Sequence, residues 1–318
     1  MLVVHAHSSC NCRCVMCDIW KTRSGKAFQT RDLEPQLASI RRLGVRWIVF
    51  SGGEPLLNAE LPLLCAMLRK EKIRLTLLTT GLLLEKKADE VAATFDDVIV
   101  SLDGPPAVHN AIRRVEGAYA MLQAGVRALR KRRGDLRITA RTVVQKANRG
   151  HLRETLRAAR ELELNAISFL AADLTSTAFN RPLPWPIVRQ EEVGLSLAEL
   201  GQLEKEIESL IQERGPGQSC SFIAETPEKL RRIARHFRVQ LGLETGESPM
   251  CNAPWVSAVI ETDGAVRPCF FHRPFGNLHE ESLQTIINGK AARDFRAGLD
   301  IPNNPICQRC VCSLNYRA

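Results

Sequence analysis

The sequence predicts an α/β protein: a partial, TIM-like (β/α)6 barrel followed by a small cysteine-rich C-terminal domain. Short β-rich runs alternate with segments whose apolar residues recur at helical spacing, which implies parallel strands joined by right-handed crossovers. Only six such units are convincing, so we expect the barrel to be incomplete. Five of the eleven cysteines fall between Cys251 and Cys312, which sets the last part of the chain apart.

The elements of the expected barrel can be named in chain order. Amphipathic patterns over Leu33–Leu43 and Leu152–Leu162 predict two of the helices that separate the strands. The six expected strands are Leu2–His7, Trp47–Ser51, Leu75–Thr80, Val98–Leu102, Ile138–Val144 and Ala166–Leu170.

The pattern changes after the sixth strand. The polar, proline-bearing stretch Thr175–Pro186 predicts a loop. Helices are expected over Leu195–Arg214, with Ser196 as the candidate N-cap, and over Thr226–Leu241. We therefore expect a barrel at residues 1–174, a helical linker or cap at residues 175–250, and a cysteine-rich domain at residues 251–318.

Composition favours a cytoplasmic globular protein. No apolar run approaches the roughly 20 residues that span a bilayer, and Met1–His7 lacks the pattern of a signal peptide. The net charge of +9 is compatible with an acidic or nucleotide partner, but a solvated basic surface is the simpler interpretation. Aromatic residues make up only 5% of the chain, which gives nucleic-acid stacking little support.

Eleven cysteines without an export signal indicate metal binding or redox chemistry rather than a disulfide framework. Cys65 and Cys220 stand alone, and we expect them to be ordinary packing or surface thiols. The loop after the first expected strand has the spacing C-x3-C-x2-C, formed by Cys10, Cys14 and Cys17.

Three thiolates on one loop can hold three irons of a cubane cluster and leave the fourth iron open to a substrate. A zinc site is the alternative, with Cys12, His5 or His7 as the fourth ligand. We interpret Cys12 as a bystander, because its neighbours already satisfy the spacing.

This triplet resembles the signature of the radical S-adenosylmethionine (SAM) superfamily. A second match, Ser51-Gly52-Gly53-Glu54-Pro55, resembles the GGE motif that binds the amino group of SAM in that family. Glycines let the backbone approach a ligand closely, and Glu54 can pair with an ammonium. The resemblance implies a [4Fe–4S] cluster on the cysteine triplet, SAM as a second cofactor, and a 5′-deoxyadenosyl radical that abstracts hydrogen from a substrate.

Weaker matches lie at the ends of later strands, where barrel active sites are built. Thr79-Thr80-Gly81 resembles the turn near the ribose of SAM, and Ser101-Leu102-Asp103-Gly104 resembles a polar position that contacts SAM. Arg141 is assigned to the SAM carboxylate, Asn148 to a polar position near it, and Met16 replaces a frequent aromatic beside the adenine. Each alone is an ordinary polar or apolar residue. The resemblance implies SAM binding by Met16, Gly52, Gly53, Glu54, Thr80, Ser101 and Arg141.

The C-terminal cysteines resemble the start of the SPASM domain of radical SAM maturases, with a G-x4-C element at Gly264 and a late C-x2-C. Gly276-Asn277-Leu278 and the segment Ser282–Ile287 resemble its turn and helix. Because only five cysteines are present, the shorter "twitch" variant with one auxiliary [4Fe–4S] cluster is implied. A structural zinc site is the alternative. The implied ligands are Cys251, Cys269, Cys307 and Cys310, with Cys312 spare or replacing a neighbour.

The implied function is that of a radical SAM oxidoreductase or maturase whose auxiliary cluster accepts an electron, giving a dehydrogenation, a crosslink or an epimerisation. Only nine residues precede Cys10, which favours a small molecule, or a peptide delivered by a separate protein. We expect an external flavodoxin-like or ferredoxin-like electron donor and no membrane or nucleic-acid partner. A non-enzymatic iron–sulfur or zinc protein, and a nucleic-acid modifier of the same superfamily, are the alternatives. Candidates for substrate contact, or for loop packing, are Phe179, Arg181, Trp185 and Arg189.

Overall fold

The computed structural model describes residues 1–22, 25–214 and 222–316. One sheet of nine strands runs through these residues. Its strands are β1 (Leu2–His7), β2 (Trp47–Gly52), β3 (Arg74–Thr79), β4 (Asp97–Ser101), β5 (Arg137–Val144), β6 (Ala166–Ala171), β7 (Ala258–Ile260), β8 (Ala265–Arg267) and β9 (Gly276–Asn277).

Helices connect the strands and cover the outer face of the sheet. They are α1 (Thr30–Leu33), α2 (Leu37–Arg42), α3 (Leu61–Lys70), α4 (Ala88–Thr94), α5 (Pro106–Arg113), α6 (Ala118–Arg132), α7 (Leu152–Glu161), α8 (Ile187–Val193), α9 (Leu197–Arg214), α10 (Pro227–Gln240), α11 (Ala253–Val256), α12 (Leu283–Asn288), α13 (Lys290–Gly298) and α14 (Pro305–Gln308). In the part of the chain that the structure describes, no helix combines the length and apolarity needed to cross a bilayer.

The order of the first six strands confirms the predicted partial barrel. They are parallel neighbours in the order β6-β5-β4-β3-β2-β1, and each is within about two residues of its predicted bounds. The predicted helix Leu33–Leu43 was wrong as one element. It is divided between α1 and α2 by a 3₁₀ turn at Glu34–Gln36, because Pro35 cannot donate to a continuous helical ladder.

The helices predicted after the sixth strand are confirmed as α9 and α10. Ser196 caps α9, since its Oγ accepts from the Glu199 amide at 3.4 Å while the Glu199 carboxylate accepts from the Ser196 amide at 2.8 Å. The Thr226 hydroxyl caps α10 by accepting from the Lys229 amide.

The C-terminal cysteine-rich part continues the same sheet. Strand β7 pairs in parallel with β1, with Leu2 opposite Ala258, and β8 and β9 follow as antiparallel neighbours. The sheet is therefore continuous on both sides of the boundary proposed at residue 251. The three-part division of the chain stays a prediction.

The two faces of the sheet differ in packing. Along β5, side chains alternate between fully buried residues such as Ile138 and Ala140, which pack beneath the helices, and the more exposed Thr139 and Arg141 on the inner face. A small separate apolar cluster of Val3, Val49 and Val259 lies on this inner face, and we call the space in front of it the lumen. The lumen is thus lined but not filled by side chains.

Candidate active site

The predicted cysteine loop leaves the carboxyl end of β1, where barrel active sites lie. Its middle is fixed by backbone hydrogen bonds to the end of α5: Arg13 N donates to Arg113 O at 3.1 Å, and Val15 N donates to Ile112 O at 3.0 Å. Cys12 and Cys14 are buried, whereas Cys10 and Cys17 are partly exposed. Backbone hydrogen bonds therefore fix the shape of the loop.

The glycine pair of the GGE segment packs directly on this loop. Gly53 N donates to His7 O and Glu54 N donates to Ser9 O, each at 2.9 Å. A Cβ on Gly53 would lie 2.0 Å from Ser9 O. Gly52 has φ +114°, which is rare for any residue with a side chain. Both glycines are thus required by close backbone approach.

The Glu54 carboxylate joins three loops at the top of the sheet. It is fully buried and accepts from Leu56 N at 3.1 Å, Thr79 Oγ1 at 2.8 Å, and the amide and hydroxyl of Thr80, both at 2.7 Å. The Thr80 hydroxyl also lies 3.0 Å from Asn11 Oδ1 in the cysteine loop. Burial raises the pKa of Glu54, and these hydrogen bonds oppose that shift. Besides its expected pairing with an ammonium, Glu54 therefore positions the Thr80 turn.

A buried ion pair between Arg113 and Asp103 packs against the cysteine loop. Arg113 Nη2 lies 2.6 Å from Asp103 Oδ2, and Arg113 Nη1 donates to Cys14 Sγ at 3.5 Å. A hydrogen bond from Cys12 and the Arg113 charge lower the pKa of the Cys14 thiol to about 7, against the effect of burial. Asn148 Nδ2 donates to Asp103 O at 2.9 Å, so this residue supports the pair from behind.

The loop after β6 covers the cysteine loop from the other side. Trp185 Nε1 donates to Asp18 Oδ2 at 2.7 Å. The Arg181 guanidinium stacks 3.8 Å from the Trp185 ring, pairs with Asp173 at 2.8 Å and donates to Met16 O at 3.3 Å. Arg189 donates to Val15 O. These contacts show loop packing by Arg181, Trp185 and Arg189.

The five C-terminal cysteines all line one cavity of about 250 Å³ on the inner face. Cys307 lies on α14, with its Sγ 3.5 Å from His272 Nε2, and Cys310 N donates to Cys307 O at 3.1 Å. Burial raises the pKa of Cys307 and of Cys312 to about 11. The same cavity is walled by lumen residues, among them Val3, Val49, Leu78 and Ile99. The cavity therefore brings the C-terminal cysteines to the lumen.

The G-x4-C element is explained by the turn that closes this cysteine group. Gly264 has φ +83°, and an added Cβ would lie 2.6 Å from Asn277 Oδ1. Asn277 Nδ2 donates to Asp263 O at 3.0 Å, and Ser282 caps α12 through its hydroxyl. The helix predicted at Ser282–Ile287 is confirmed as α12, whereas Gly276 and Asn277 of the predicted turn form strand β9 and the turn follows from Leu278.

The structure sorts the predicted SAM residues into two groups. Gly52, Gly53, Glu54 and Thr80 lie together against the cysteine loop, and Met16 is buried within it. Ser101 and Arg141 are register partners on β4 and β5, and Arg141 lines the cavity of the C-terminal cysteines. Direct contact of these residues with SAM stays a prediction.

Sequence patterns missed one part of the site. Arg113 carried no motif signal, because its partner Cys14 lies 99 residues away. The interpretation of Cys12 as a bystander stays a prediction; hydrogen bonds with Cys10 and Cys14 raise the pKa of its buried thiol, which disfavours the thiolate form that a cluster ligand needs. Cys65 is fully buried, as expected of a packing thiol, and Cys220 lies outside the described residues.

The chemistry of the two cysteine groups fits iron–sulfur clusters. Thiolates are the usual cluster ligands, and the second group is large enough to close a ligand shell. Across residues 1–22, 25–214 and 222–316, no three His, Cys, Asp or Glu side chains converge closely enough to hold a single metal ion.

The cysteine loop supplies thiols, and the backbone of the paired glycines packs against that loop. These are the features of an α/β protein that holds an iron–sulfur cluster. Family profiles identify it further. The radical SAM superfamily matches residues 6–159, and the SPASM iron–sulfur cluster-binding domain matches residues 251–311. The chain belongs to the radical SAM superfamily, carries a SPASM domain and is an enzyme. Membership implies SAM, a [4Fe–4S] cluster and auxiliary iron–sulfur binding.

Curated relatives resemble the chain over different lengths. The Fe-coproporphyrin III synthase of Methanosarcina barkeri is 28% identical over 97% of this chain and 80% of that protein. The AdoMet-dependent heme synthase of the same organism is 30% identical over 60% and 58%. The pre-heme d1 synthase of Dinoroseobacter shibae is 37% identical over 46% of this chain, but the match spans only 37% of that protein.

Solved structures share the fold. anSMEcpe with bound AdoMet has a TM-score of 0.69 at 19% identity and covers 97% of this chain and 85% of its own. SuiB of Streptococcus suis, bound to its precursor peptide SuiA, has a TM-score of 0.66 at 15% identity and covers 98% and 71%. At these identities the likeness shows the fold alone.

Proposed function

We propose that this enzyme abstracts hydrogen from a side chain of a tetrapyrrole, a small molecule, in an oxidation. The observation that carries the proposal is the lumen, whose apolar wall leads from β1 to the C-terminal cysteines and ends at the cation Arg141. An apolar ring with acidic substituents matches such a surface. The relatives support it, since the names of three of them refer to heme or a porphyrin.

When bound, SAM and the clusters supply an electron entry, a hydrogen-abstracting radical and an electron exit. The chain's own part is to hold and orient. We infer that Cys10, Cys14 and Cys17 ligate the first cluster, and that the carboxylate of Glu54 and the backbone of Gly52–Gly53 hold the SAM amino group. For the auxiliary cluster we propose Cys251, Cys269, Cys307 and Cys310, with Cys312 in reserve. A ferredoxin-like or flavodoxin-like protein would supply the electron.

The test is anaerobic reconstitution followed by incubation with SAM, a reductant and iron coproporphyrin III. We expect about eight irons per chain, from two cubanes, formation of 5′-deoxyadenosine, and a mass change of the porphyrin. The variant Cys17→Ala should abolish all SAM cleavage, whereas the matched control Cys65→Ala, at a buried cysteine of α3, should keep it. SAM cleavage without any mass change, either in iron coproporphyrin III or in the tetrapyrroles of a cell extract, would contradict the proposed substrate; the extract is included because the name of one relative makes this porphyrin a product.

Peptide modification is a second candidate function, because exposed apolar side chains lie beside the loop that covers the cysteine loop. Leu183, Ile187 and Val188 are each at least 70% exposed beside the loop that covers the cysteines. The structures of similar fold include SuiB bound to its precursor peptide. Mass analysis of a cell extract after SAM cleavage separates the candidates, since a modified peptide with unmodified tetrapyrroles would favour this one.

A further inference from the structure

A second, polar cavity of about 140 Å³ opens beside the C-terminal cysteines. Its walls come from β5 and β6, from one face of α10, and from the segment Cys310–Ser313. Arg141 on β5 and Ser168 on β6 are register partners, and Arg141 Nε lies 3.4 Å from Ser168 Oγ. The cavity is therefore built by elements that the fold fixes.

The helix α10 directs basic residues into this cavity at helical spacing. Lys229, Arg232 and His236 all line it, as expected of residues three and four positions apart on one helix face. The Arg232 guanidinium is held in place because its Nη2 donates to Cys310 O at 2.6 Å. Within the described ranges, none of Arg141, Lys229 and Arg232 forms an ion pair within 4 Å.

Among the described residues, the cavity lining contains one carboxylate, that of Glu225, against the three cations Arg141, Lys229 and Arg232. The Glu225 Oε2 accepts from Phe169 N at 2.9 Å, so the backbone already supplies one hydrogen bond to this carboxylate. Burial raises the pKa of Glu225, which weakens its negative charge further. Apart from Cys310 and Cys312, which also line the cavity, its charged side chains are thus mainly cationic, and a bound carboxylate would compensate them.

Arg141 also lines the larger apolar cavity, so the two cavities meet at its side chain. A ligand that reaches the cations can therefore keep an apolar part against Leu78, Ile99 and Val259. The polar cavity has the size of a short acidic side chain, not of a whole macrocycle.

We propose that this cavity binds a carboxylate of the substrate, with Arg141 and Arg232 as its ligating cations. The inference rests on the proposed function and names the group by which the substrate is held. It also assigns Arg141 to the substrate, whereas the family resemblance assigned it to the carboxylate of SAM. Bidentate arginine is the usual partner of a carboxylate in such a site.

The experiment measures the affinity of the reconstituted 318-residue protein for iron coproporphyrin III and, separately, for SAM. We expect Arg141→Gln and Arg232→Gln each to weaken porphyrin binding about tenfold or more, as loss of a charge-assisted hydrogen bond does, with SAM affinity unchanged. The matched control is Arg231→Gln on the same helix, since Arg231 pairs with Glu208 at the surface. It should bind the porphyrin like the wild type.

Propionate alone tests the cavity without the macrocycle. Saturation-transfer NMR should show propionate bound to the wild type and to Arg231→Gln, and lost in Arg141→Gln. If the wild type binds propionate but not the porphyrin, the cavity stands and the tetrapyrrole proposal fails. Equal ligand affinities in all variants, or weakened SAM binding in Arg141→Gln with porphyrin binding intact, would overturn the cavity assignment.

Discussion

The Arg113 guanidinium lies against the Cys14 thiol, with Nη1 3.5 Å from Sγ, and Asp103 holds the guanidinium from the opposite side at 2.6 Å. A fixed cation in a buried site acts strongly on a neighbouring charge, because little solvent screens it. Hydrogen bonds and charges around the thiolates are among the factors that set cluster potentials. Arg113 is therefore a positioning residue for the cysteine loop.

Replacing Arg113 should make the first cluster harder to reduce. In Arg113→Gln the lost positive charge disfavours the extra electron, so we expect the reduction potential to fall on the order of 60 mV, the one-electron equivalent of a tenfold change. Arg113→Lys should keep most of the potential. A redox titration followed by electron paramagnetic resonance measures both.

The matched control for this charge change is Arg114→Gln, at the exposed neighbouring residue. Because Arg113→Gln also leaves Asp103 buried without its partner, the double variant Asp103→Asn/Arg113→Gln separates misfolding from the electronic effect. An unchanged potential in a fully loaded Arg113→Gln protein would show that the guanidinium has only a structural role.

Gly53→Ala should prevent assembly of the first cluster, because the added Cβ would overlap Ser9 O at 2.0 Å and push the cysteine loop away. We expect iron content per chain to fall by about half, the share of one of two cubanes. The control Gly201→Ala adds the same methyl group on α9 where nothing lies within 4 Å, and should stabilise that helix by up to about 1 kcal/mol. Normal iron content in Gly53→Ala would contradict the close-packing explanation.

Trp185→Phe should make the cysteine loop more accessible. The phenyl ring can keep its stacking on Arg181 but cannot donate to Asp18, and loss of a hydrogen bond to a charged group destabilises by roughly 1 to 3 kcal/mol. We expect faster loss of the visible cluster absorbance in air. Trp255→Phe, at a half-exposed tryptophan, is the control and should decay like the wild type; equal decay of both variants would argue against the covering role of Trp185.

The sequence was informative wherever a local pattern specified local structure. Six strands and three of the four named helices followed from periodicity and caps, and only Pro35 interrupted a predicted helix. Short strands were expected after Cys251, but the pairing of β7 with β1 could not be predicted, since three residues carry no periodic signal and β1 lies more than 250 residues earlier.

In the site, too, local patterns were predictable and contacts between distant residues were not. Spacing identified both cysteine groups and the glycine pair, because each is contiguous or nearly so along the chain. The contacts between Arg113 and Cys14, and between Trp185 and Asp18, join residues 99 and 167 positions apart. Such pairs depend on tertiary packing, which motif spacing does not encode.

Stability should fall below neutral pH through His109. This residue is fully buried, its Nδ1 accepts from Asp103 N at 3.2 Å, and burial and the Arg113 charge lower its pKa to about 3. Because a histidine in the unfolded chain binds a proton near pH 6.5, the unfolded state gains protons first as the pH falls, and the stability lost grows from pH 6.5 down to about 3. At pH 5 the loss from His109 is on the order of 2 kcal/mol.

Urea unfolding of the reconstituted protein at pH 7 and pH 5 measures this loss. The pH effect should be smaller in His109→Asn, whose amide oxygen can still accept from Asp103 N. The control His279→Asn, at the exposed His279, should retain the wild-type effect. A pH effect in His109→Asn as large as that of the wild type would place the acid sensitivity elsewhere.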